Sequence, residues 1–396
     1  MRRTILLPPS TPRWLRPWHV VGAVALLYLG IALARTGGDP LTFVMRCPNP
    51  EQIPTGTCGY DGQFAYAIAM DPAGAAPFMD VPAYRYQRIL YPLLARVLGA
   101  GQPDLVPWTL VLINWVALAA GTAVLEAVLC AYGVSRWYAL AYGLFAGVLM
   151  PVRLDLTEPL AYALALGGVL AAMRGRGALS GVLLALAALT KETTLLFAAG
   201  VVAGYALRGA GAWRSGPAGG GAVPAKGPEA RAPHAFRDAA TLGVMAVAPF
   251  VLWQVALRAQ FGQFGIGSGG ALATPFEWVP LRGWWSLVSA RPGAFLLLSL
   301  IMVPMAVMPA LVGLWLALRD VAQRRYDVPA LLLLFHAAVV LFTPQSTFRE
   351  PLGMVRFIVG LVAATVIYAA ARRSRRGLNY ALLWVFTLGL ALNEFA

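Results

Sequence analysis

Apolar residues run in long blocks along this chain, and polar residues collect between them. Eleven blocks read as transmembrane helices, at roughly 18–35, 107–130, 137–153, 156–173, 177–190, 194–208, 238–258, 293–318, 327–343, 352–371 and 378–393. Several are short for a hydrocarbon core about 30 Å thick. The segments around 137–190 are therefore expected to tilt or to end inside a cavity. The pattern predicts an all-α, polytopic transmembrane helical bundle of about eleven spans.

The polar connections alternate in character. With the N-terminus in the cytoplasm, the inner connections are Ser135-Arg136, Met173–Arg176, the 208–237 loop, Arg319–Arg325 and Arg372–Arg376, all basic. The outer connections hold Asp61, Asp71, Asp80, Asp155, Glu158, Glu192, Glu277 and Glu350. This is the positive-inside pattern, and it orients the whole chain. At the N-terminus, Arg2, Arg3, Arg13 and Arg16 precede the apolar run Val20–Leu33. Ala32-Leu33-Ala34 also suits a signal-peptide cleavage site, but the run is long for an h-region and many spans follow. An uncleaved first helix is the expectation.

Three modules result: an N-terminal membrane module over 1–208 with a long first outer loop (36–106), a flexible cytoplasmic linker over 209–237, and a C-terminal membrane module over 238–396. The linker is predicted from its Gly, Ala and Pro content. Inside the first outer loop, Gly62–Met70 and Gln87–Leu98 carry helical apolar spacing and read as amphipathic helices lying in the interface. The second long outer loop, Ala259–Pro292, holds Phe276, Trp278, Trp284 and Trp285. These form either an aromatic belt or a platform for a lipid tail or sugar face. No tandem repeat and no inverted pair of broken helices of the transporter kind stands out.

Composition removes other classes. The chain is 59% hydrophobic and only 12% charged, with mean hydropathy +0.68, so a water-soluble fold would expose large apolar patches. The net charge of +14 does not point to nucleic acid, because the basic residues sit at block ends rather than on a polar domain. Cys47 and Cys58 fall in the outer loop, where they are either a disulfide or two free thiols. Cys130 reads as a buried small apolar residue. His19, His234 and His336 are far apart, and no catalytic triad, zinc ligand set, P-loop or dinucleotide fingerprint is present.

What remains is a set of ionisable groups on the outer side: Asp61, Arg85, Arg88, Arg153, Asp155, Glu158, Lys191, Glu192, Arg349, Glu350 and Arg356. Charge at membrane depth is expensive unless paired or wet, so these are functional candidates. Asp61 is read in two ways, as a chemical group or as the cap of the helix that follows it. Glycosyl transfer to a hydroxyl needs a carboxylate to take the proton and cations to hold a departing phosphate. Asp61 suits the first role, and Arg85, Arg88, Lys191 or Arg349 the second.

At Tyr60-Asp61-Gly62-Gln63-Phe64 the chain resembles the GT-C superfamily of polytopic glycosyltransferases, which use polyprenyl-phosphate sugars. The form is similar to the aromatic-Asp-Gly-x-aromatic motif of mannosyltransferases of the GPI mannosyltransferase 2 (PIG-V) type and their bacterial relatives. Arg88–Leu94 with Tyr91-Pro92, Thr157-Glu158-Pro159-Leu160 and Leu189–Thr193 resemble later landmarks of that group. The resemblance covers roughly residues 20–210. It implies a GT-C-like fold and an inverting hexosyl transfer, mannose or similar, from a polyprenyl-phosphate donor to a cell-envelope glycan or glycolipid. Asp61 would be the base. Tyr60, Gln63, Arg85, Arg88, Tyr91, Asp155, Glu158, Lys191, Glu192 and Arg349 would bind substrate. A single Asp stands at the motif in place of Asp-Asp or Asp-Glu. No cofactor is therefore called for, and a divalent metal stays an open alternative. The Ala, Gly and Arg content suits a GC-rich bacterial genome, so the expected setting is a bacterial inner membrane, with the site on its outer face as the charge pattern orients it. Two other readings compete: a transporter or flippase of a lipid-linked sugar, and a non-catalytic membrane scaffold.

Overall fold

The computed structural model describes residues 14–56, 58–214, 235–290 and 292–392. Every regular element among them is helical. The first half contains α1 (Pro17–Arg35), α2 (Gly62–Met70), α3 (Pro82–Tyr86), α4 (Leu90–Leu98), α5 (Val106–Ala131), α6 (Leu140–Gly143), α7 (Ala146–Arg153), α8 (Glu158–Met173), α9 (Gly177–Thr190) and α10 (Leu195–Arg214). The second half begins with α11 (Ala235–Phe261), α12 (Arg282–Trp285), α13 (Leu287–Ala290), α14 (Pro292–Met302), α15 (Met308–Ala322) and α16 (Val328–Leu341). It ends with α17 (Gln345–Arg349), α18 (Pro351–Phe357), α19 (Val359–Ala371), α20 (Arg375–Ala381) and α21 (Leu388–Leu392).

Helices occupy all eleven apolar blocks, but among the described residues four are long and apolar enough to cross a membrane: α1, α5, α11 and the run Phe295–Ala322. A fifth is reached if α18 and α19, bent by 44° at Ile358, count as one span. The expectation of about eleven spans is corrected by helix length. At 1.5 Å per residue, the 26 residues of α5 give about 39 Å, whereas the 16 of α8 and 14 of α9 give only about 24 and 21 Å. The block 137–153 is broken into α6 and α7, and the block 378–393 into α20, a 3₁₀ turn and α21. Close packing explains the first break. A Cβ on Gly143 would fall 2.5 Å from both Thr122 and Val21 side chains, so this turn abuts α5 and α1 directly. Most of the linker expected over 209–237 lies outside the described residues. Helix continues to Arg214 and resumes at Ala235.

One core runs through both halves. It joins α1, α5 and α8 to α10, α16 and α19. Along α19 nearly every side chain is buried, as expected of a helix apolar on all sides. Its Gly360 lies against His336, where a Cβ would sit 2.2 Å from the imidazole Cδ2. His336 is packed edge-on against Phe197, with Nδ1 2.8 Å from the Leu332 carbonyl oxygen.

The two short helices expected to lie in the interface, α2 and α4, differ from each other. α4 exposes Leu93, Val97 and Leu98, the apolar face expected at an interface. α2 does not lie free. Its Phe64 and Ile68 are buried with Tyr86 and Leu257, making it a wall of the interior. The helix expected over Gln87–Leu98 starts at Leu90, after the separate turn of α3. Between α11 and α14, Trp278, Trp285 and Phe276 are exposed, while Trp284 packs on Phe295 and donates to Ser299.

Candidate functional site

A disulfide joins Cys47 to Cys58 and closes a small loop ahead of the Tyr60-Asp61 motif. Gln63 braces that loop. Its Oε1 accepts the Cys47 amide at 3.0 Å and its Nε2 donates to the Cys58 carbonyl at 3.1 Å. The Tyr60 amide donates to Met45. These contacts fix the backbone on which Asp61 stands. Asp61 opens α2 but makes no side-chain capping bond, so its carboxylate is turned to other partners and the capping reading is corrected. Gly62 lets this turn press onto the chain between α7 and α8. A Cβ there would meet the Leu154 carbonyl oxygen at 2.2 Å and the Asp155 Cβ at 3.3 Å.

Four segments distant in sequence meet around Asp61. Arg85 on α3 donates to Asp61 Oδ1 at 2.8 Å, and through Nε and Nη2 to both oxygens of Asp80 at 2.7 Å. Arg356 on α18 donates to Asp61 Oδ2 at 2.9 Å, to Glu158 Oε1 at 2.7 Å and to the Tyr60 hydroxyl at 3.0 Å. Lys191 Nζ lies 3.1 Å from the same Glu158 oxygen. Arg88 grips both oxygens of Glu192, at 2.7 and 3.0 Å, and donates to Tyr84 at 2.7 Å. The Tyr60 hydroxyl donates to Glu350 at 2.9 Å. In this network Arg85, Arg88, Lys191 and Arg356 balance Asp61, Asp80, Glu158 and Glu192. Each guanidinium also lies over an aromatic ring: Arg85 over Phe64 at 4.0 Å, Arg88 over Tyr84 at 4.6 Å and Arg356 over Tyr60 at 5.4 Å.

The network borders a small cleft, open to solvent on one side, with an internal volume of about 30 Å³. Asp61, Asp155, Arg85, Arg88 and Arg356 line it, with Phe64, Ile68, Pro92 and Leu156 as its apolar wall. Asp155 stands apart from the paired acids. It is fully buried, its φ is +50°, and neither carboxylate oxygen has a hydrogen-bond partner among the described residues.

Burial alone would raise the Asp61 carboxyl, but Arg85 and then Arg356 outweigh it and hold the group well below the usual carboxylate range. Asp80 is lowered too, its burial outweighed by the hydrogen bonds and charge of Arg85. Both folded values lie below the unfolded one, so their stabilisation is complete above the unfolded value of about 3.9 and is lost as pH falls through the folded values. Thermal unfolding in detergent should therefore hold steady from pH 8 to 5 on this account, and decline below about pH 4. A decline beginning above pH 6 that is absent from Asp61→Asn would contradict this sign.

Of the predicted site residues, Asp61, Tyr60, Arg85, Arg88, Glu158, Lys191 and Glu192 are brought into one network, with Asp155 beside it. Three are placed differently. Gln63 braces the disulfide loop and does not line the cleft. Tyr91 is fully buried, donating to the Leu110 carbonyl at 3.0 Å and accepting from Asn114 at 2.8 Å, so it holds α4 to α5. Arg349 is exposed and outside the cleft lining, and Arg356, two turns later, takes the position expected of it. The signal for Arg356 was its depth inside the apolar block 352–371. Asp80 and Tyr84 carried no motif signal as site residues and emerge only from their contacts. Among the described residues, no three His, Cys, Asp or Glu side chains gather as a metal site. No family model, no curated protein and no solved structure matches this chain.

Proposed function

We propose that this protein is a membrane glycosyltransferase of GT-C type. It moves a sugar, mannose or similar, from a polyprenyl-phosphate donor to a cell-envelope glycan or glycolipid on the outer face of a bacterial inner membrane. The observation that carries the reading is the convergence of Arg85, Arg88 and Arg356 with paired carboxylates on one cleft, built by outer connections distant in sequence. Guanidinium forks match phosphate oxygens, and held in place beforehand they stabilise the charge that develops on a leaving phosphate. The acids hold these cations in place: Arg85 and Arg356 each use three of their five N–H groups on Asp61, Asp80, Glu158 and the Tyr60 hydroxyl, which leaves the others to meet an incoming phosphate. The apolar wall of Phe64, Ile68 and Leu156 suits the prenyl side of such a donor. A disulfide at the same end of the bundle agrees with an oxidising compartment. The remaining apolar helices would complete a GT-C-like bundle as shorter, tilted or broken spans.

A transporter of a lipid-linked sugar has one observation in its favour. A second ionic cluster, Arg372 with Asp320 and Asp327, lies at the opposite helix ends. It clamps α15, α16 and α19 together and lies outside the cleft.

The test is mass spectrometry of envelope glycans and glycolipids from a deletion strain, the deletion with wild type, and the deletion with Asp61→Asn at equal expression. One hexose increment should vanish in the deletion, return with wild type and stay absent with Asp61→Asn. Purified wild type added to deletion-strain membranes should restore the increment. A transporter or scaffold predicts no sugar transfer in that assay, and full activity of Asp61→Asn would remove the motif aspartate from the site.

A further inference from the structure

We propose that Asp155 takes the proton from the acceptor hydroxyl, and that Asp61 instead positions Arg85 and Arg356 for the leaving phosphate. The inference rests on the glycosyltransferase reading above and divides its two electrostatic tasks between two carboxylates of the same cleft.

Proton transfer needs a lone pair that is free when the hydroxyl arrives. Both oxygens of Asp61 are occupied by guanidinium groups, at 2.8 and 2.9 Å. Both oxygens of Glu192 are held by Arg88, and both of Asp80 by Arg85. Glu158 keeps Oε2 without a hydrogen bond, but Glu158 does not line the cleft. Asp155 alone combines a place in the cleft lining with two oxygens that have no hydrogen-bond partner among the described residues.

Its setting is built rather than incidental. Asp155 holds a left-handed backbone, φ +50°, in the tight turn from α7 into α8. Non-glycine residues held in this region cluster at functional sites, where the surrounding fold enforces them. The first turn of α2 presses on it through Gly62, which sets Asp155 beside Asp61. A buried polar group without a partner is unfavourable, and the hydroxyl of a bound acceptor would relieve it.

The groups that face Asp155 agree with the role. Burial raises its carboxyl well above the usual range, opposed first by Arg153 at the end of α7 and then by the nearby Tyr91 hydroxyl from α4, whose one proton goes to the Leu110 carbonyl at 3.0 Å rather than to Asp155. Across the cleft stand Asp61 ahead of α2, Arg85 on α3, Arg88 beyond it and Arg356 on α18. Two neighbouring carboxylates are thus driven in opposite directions. This is the pattern in which one stays ionised as an electrostatic fixture and the other carries the proton.

The step balances. The acceptor O–H proton moves to a carboxylate oxygen of Asp155 while the hydroxyl oxygen bonds to the anomeric carbon of the donor. The bond between that carbon and the phosphate oxygen breaks, and its electron pair leaves with the polyprenyl phosphate. Arg85 and Arg356 hold that phosphate. Asp155 then returns its proton to water, leaving an inverted glycoside and the lipid phosphate.

The experiment compares wild type, D155N, D155E and D61N, each purified into lipid nanodiscs. Binding of undecaprenyl phosphate is measured by native mass spectrometry. Transfer is measured as the rate at which each protein restores the missing increment to deletion-strain membranes, as a function of pH. Asn adopts the left-handed region nearly as readily as Asp, so D155N should melt close to wild type. D155N should bind undecaprenyl phosphate within about twofold of wild type but transfer at least about 100-fold more slowly, the loss expected of a missing general base. D155E keeps a carboxylate, so it should recover part of the rate and shift the acidic limb of the pH profile. D61N should lose at least about tenfold in undecaprenyl phosphate binding, because Arg85 and Arg356 are no longer held. The assignment is overturned if D155N transfers at the wild-type rate with an unchanged profile, or if it loses lipid-phosphate binding as D61N does. If D155N does not fold, the profile of D155E decides, and an unshifted acidic limb overturns it. Wild type that neither binds undecaprenyl phosphate nor restores any increment removes the glycosyltransferase reading, and this assignment with it. Active wild type alongside undiminished D155N removes only the assignment.

Discussion

Glu158→Gln is expected to destabilise the protein more than any other single conservative change in the network, by about 3–5 kcal/mol. Glu158 is fully buried at the first turn of α8, and one of its oxygens serves two cations, Arg356 Nε at 2.7 Å and Lys191 Nζ at 3.1 Å. Those cations are themselves only 8% and 6% exposed, so water cannot replace the lost partner. An amide would take from Lys191 its ion-pair partner and leave Arg356 with Asp61, the two cations facing one another across a weaker acceptor. The energy at stake is the cost of an unpaired charge, not the strength of one ion pair. Glu158→Gln combined with Lys191→Met should therefore recover part of the loss, because the second change removes one stranded cation. The pair of exposed Arg282 with half-buried Glu277, at 3.6 Å, provides the contrast. Glu277→Gln should change stability by less than about 1 kcal/mol, as surface ion pairs usually do. Thermal unfolding in detergent, read by loss of helical signal, checks all three. A melting point for Glu158→Gln equal to that of Glu277→Gln would refute the argument.

The sequence exposed where helices lie more reliably than how far each one runs. Long uninterrupted blocks such as those of α1, α5 and α11 were legible because apolarity and length act together there. The blocks at 137–153 and 378–393 are equally apolar but do not stay continuous. Apolar composition reports what surrounds a segment, and a segment buried in protein is free to break where a glycine meets a neighbour, as Gly143 does. The same limit applies to α2. Its spacing marked an apolar face, and only the fold decided that this face meets Tyr86 and Leu257.

The candidate site was legible as a set of outer charges and less so as individual partners. Asp61, Arg88, Glu158 and Lys191 stood out because charge is scarce in this chain. Their pairings depend on the folding together of loops more than a hundred residues apart, such as Arg88 with Glu192 at a separation of 104. Arg349 and Arg356 looked similar by proximity to the tenth block. Depth in that block separates them, since a guanidinium well inside an apolar stretch must have a partner. Gln63 misled because a motif position suggests contact with ligand, while both ends of its amide are taken by the backbone of the disulfide loop.

Arg356→Lys is the second large effect, and it should fall on activity rather than on folding. Arg356 spreads one planar group over three acceptors from three segments: Glu158, Asp61 and the Tyr60 hydroxyl. Lysine keeps the positive charge, so Glu158 retains two cations nearby and the stability loss should stay well below that of Glu158→Gln. What lysine cannot do is present three donors in a fixed fork. Asp61 would then be held by Arg85 alone, and Tyr60 would lose one of its two partners, keeping Glu350. If the fork preorganises the cleft for a leaving phosphate, losing it should lower the transfer rate by about 10²–10³-fold, the usual effect of removing one preorganised donor. The rate of restoring the missing increment to deletion-strain membranes measures this directly. Arg349→Ala belongs in the same experiment, since Arg349 is exposed and lies outside the cleft lining. It should transfer at the wild-type rate. Should Arg349→Ala be the more damaging of the two, the reacting phosphate is held outside this cleft, and the convergence around Asp61 is an ion-pair lock between the two halves of the chain.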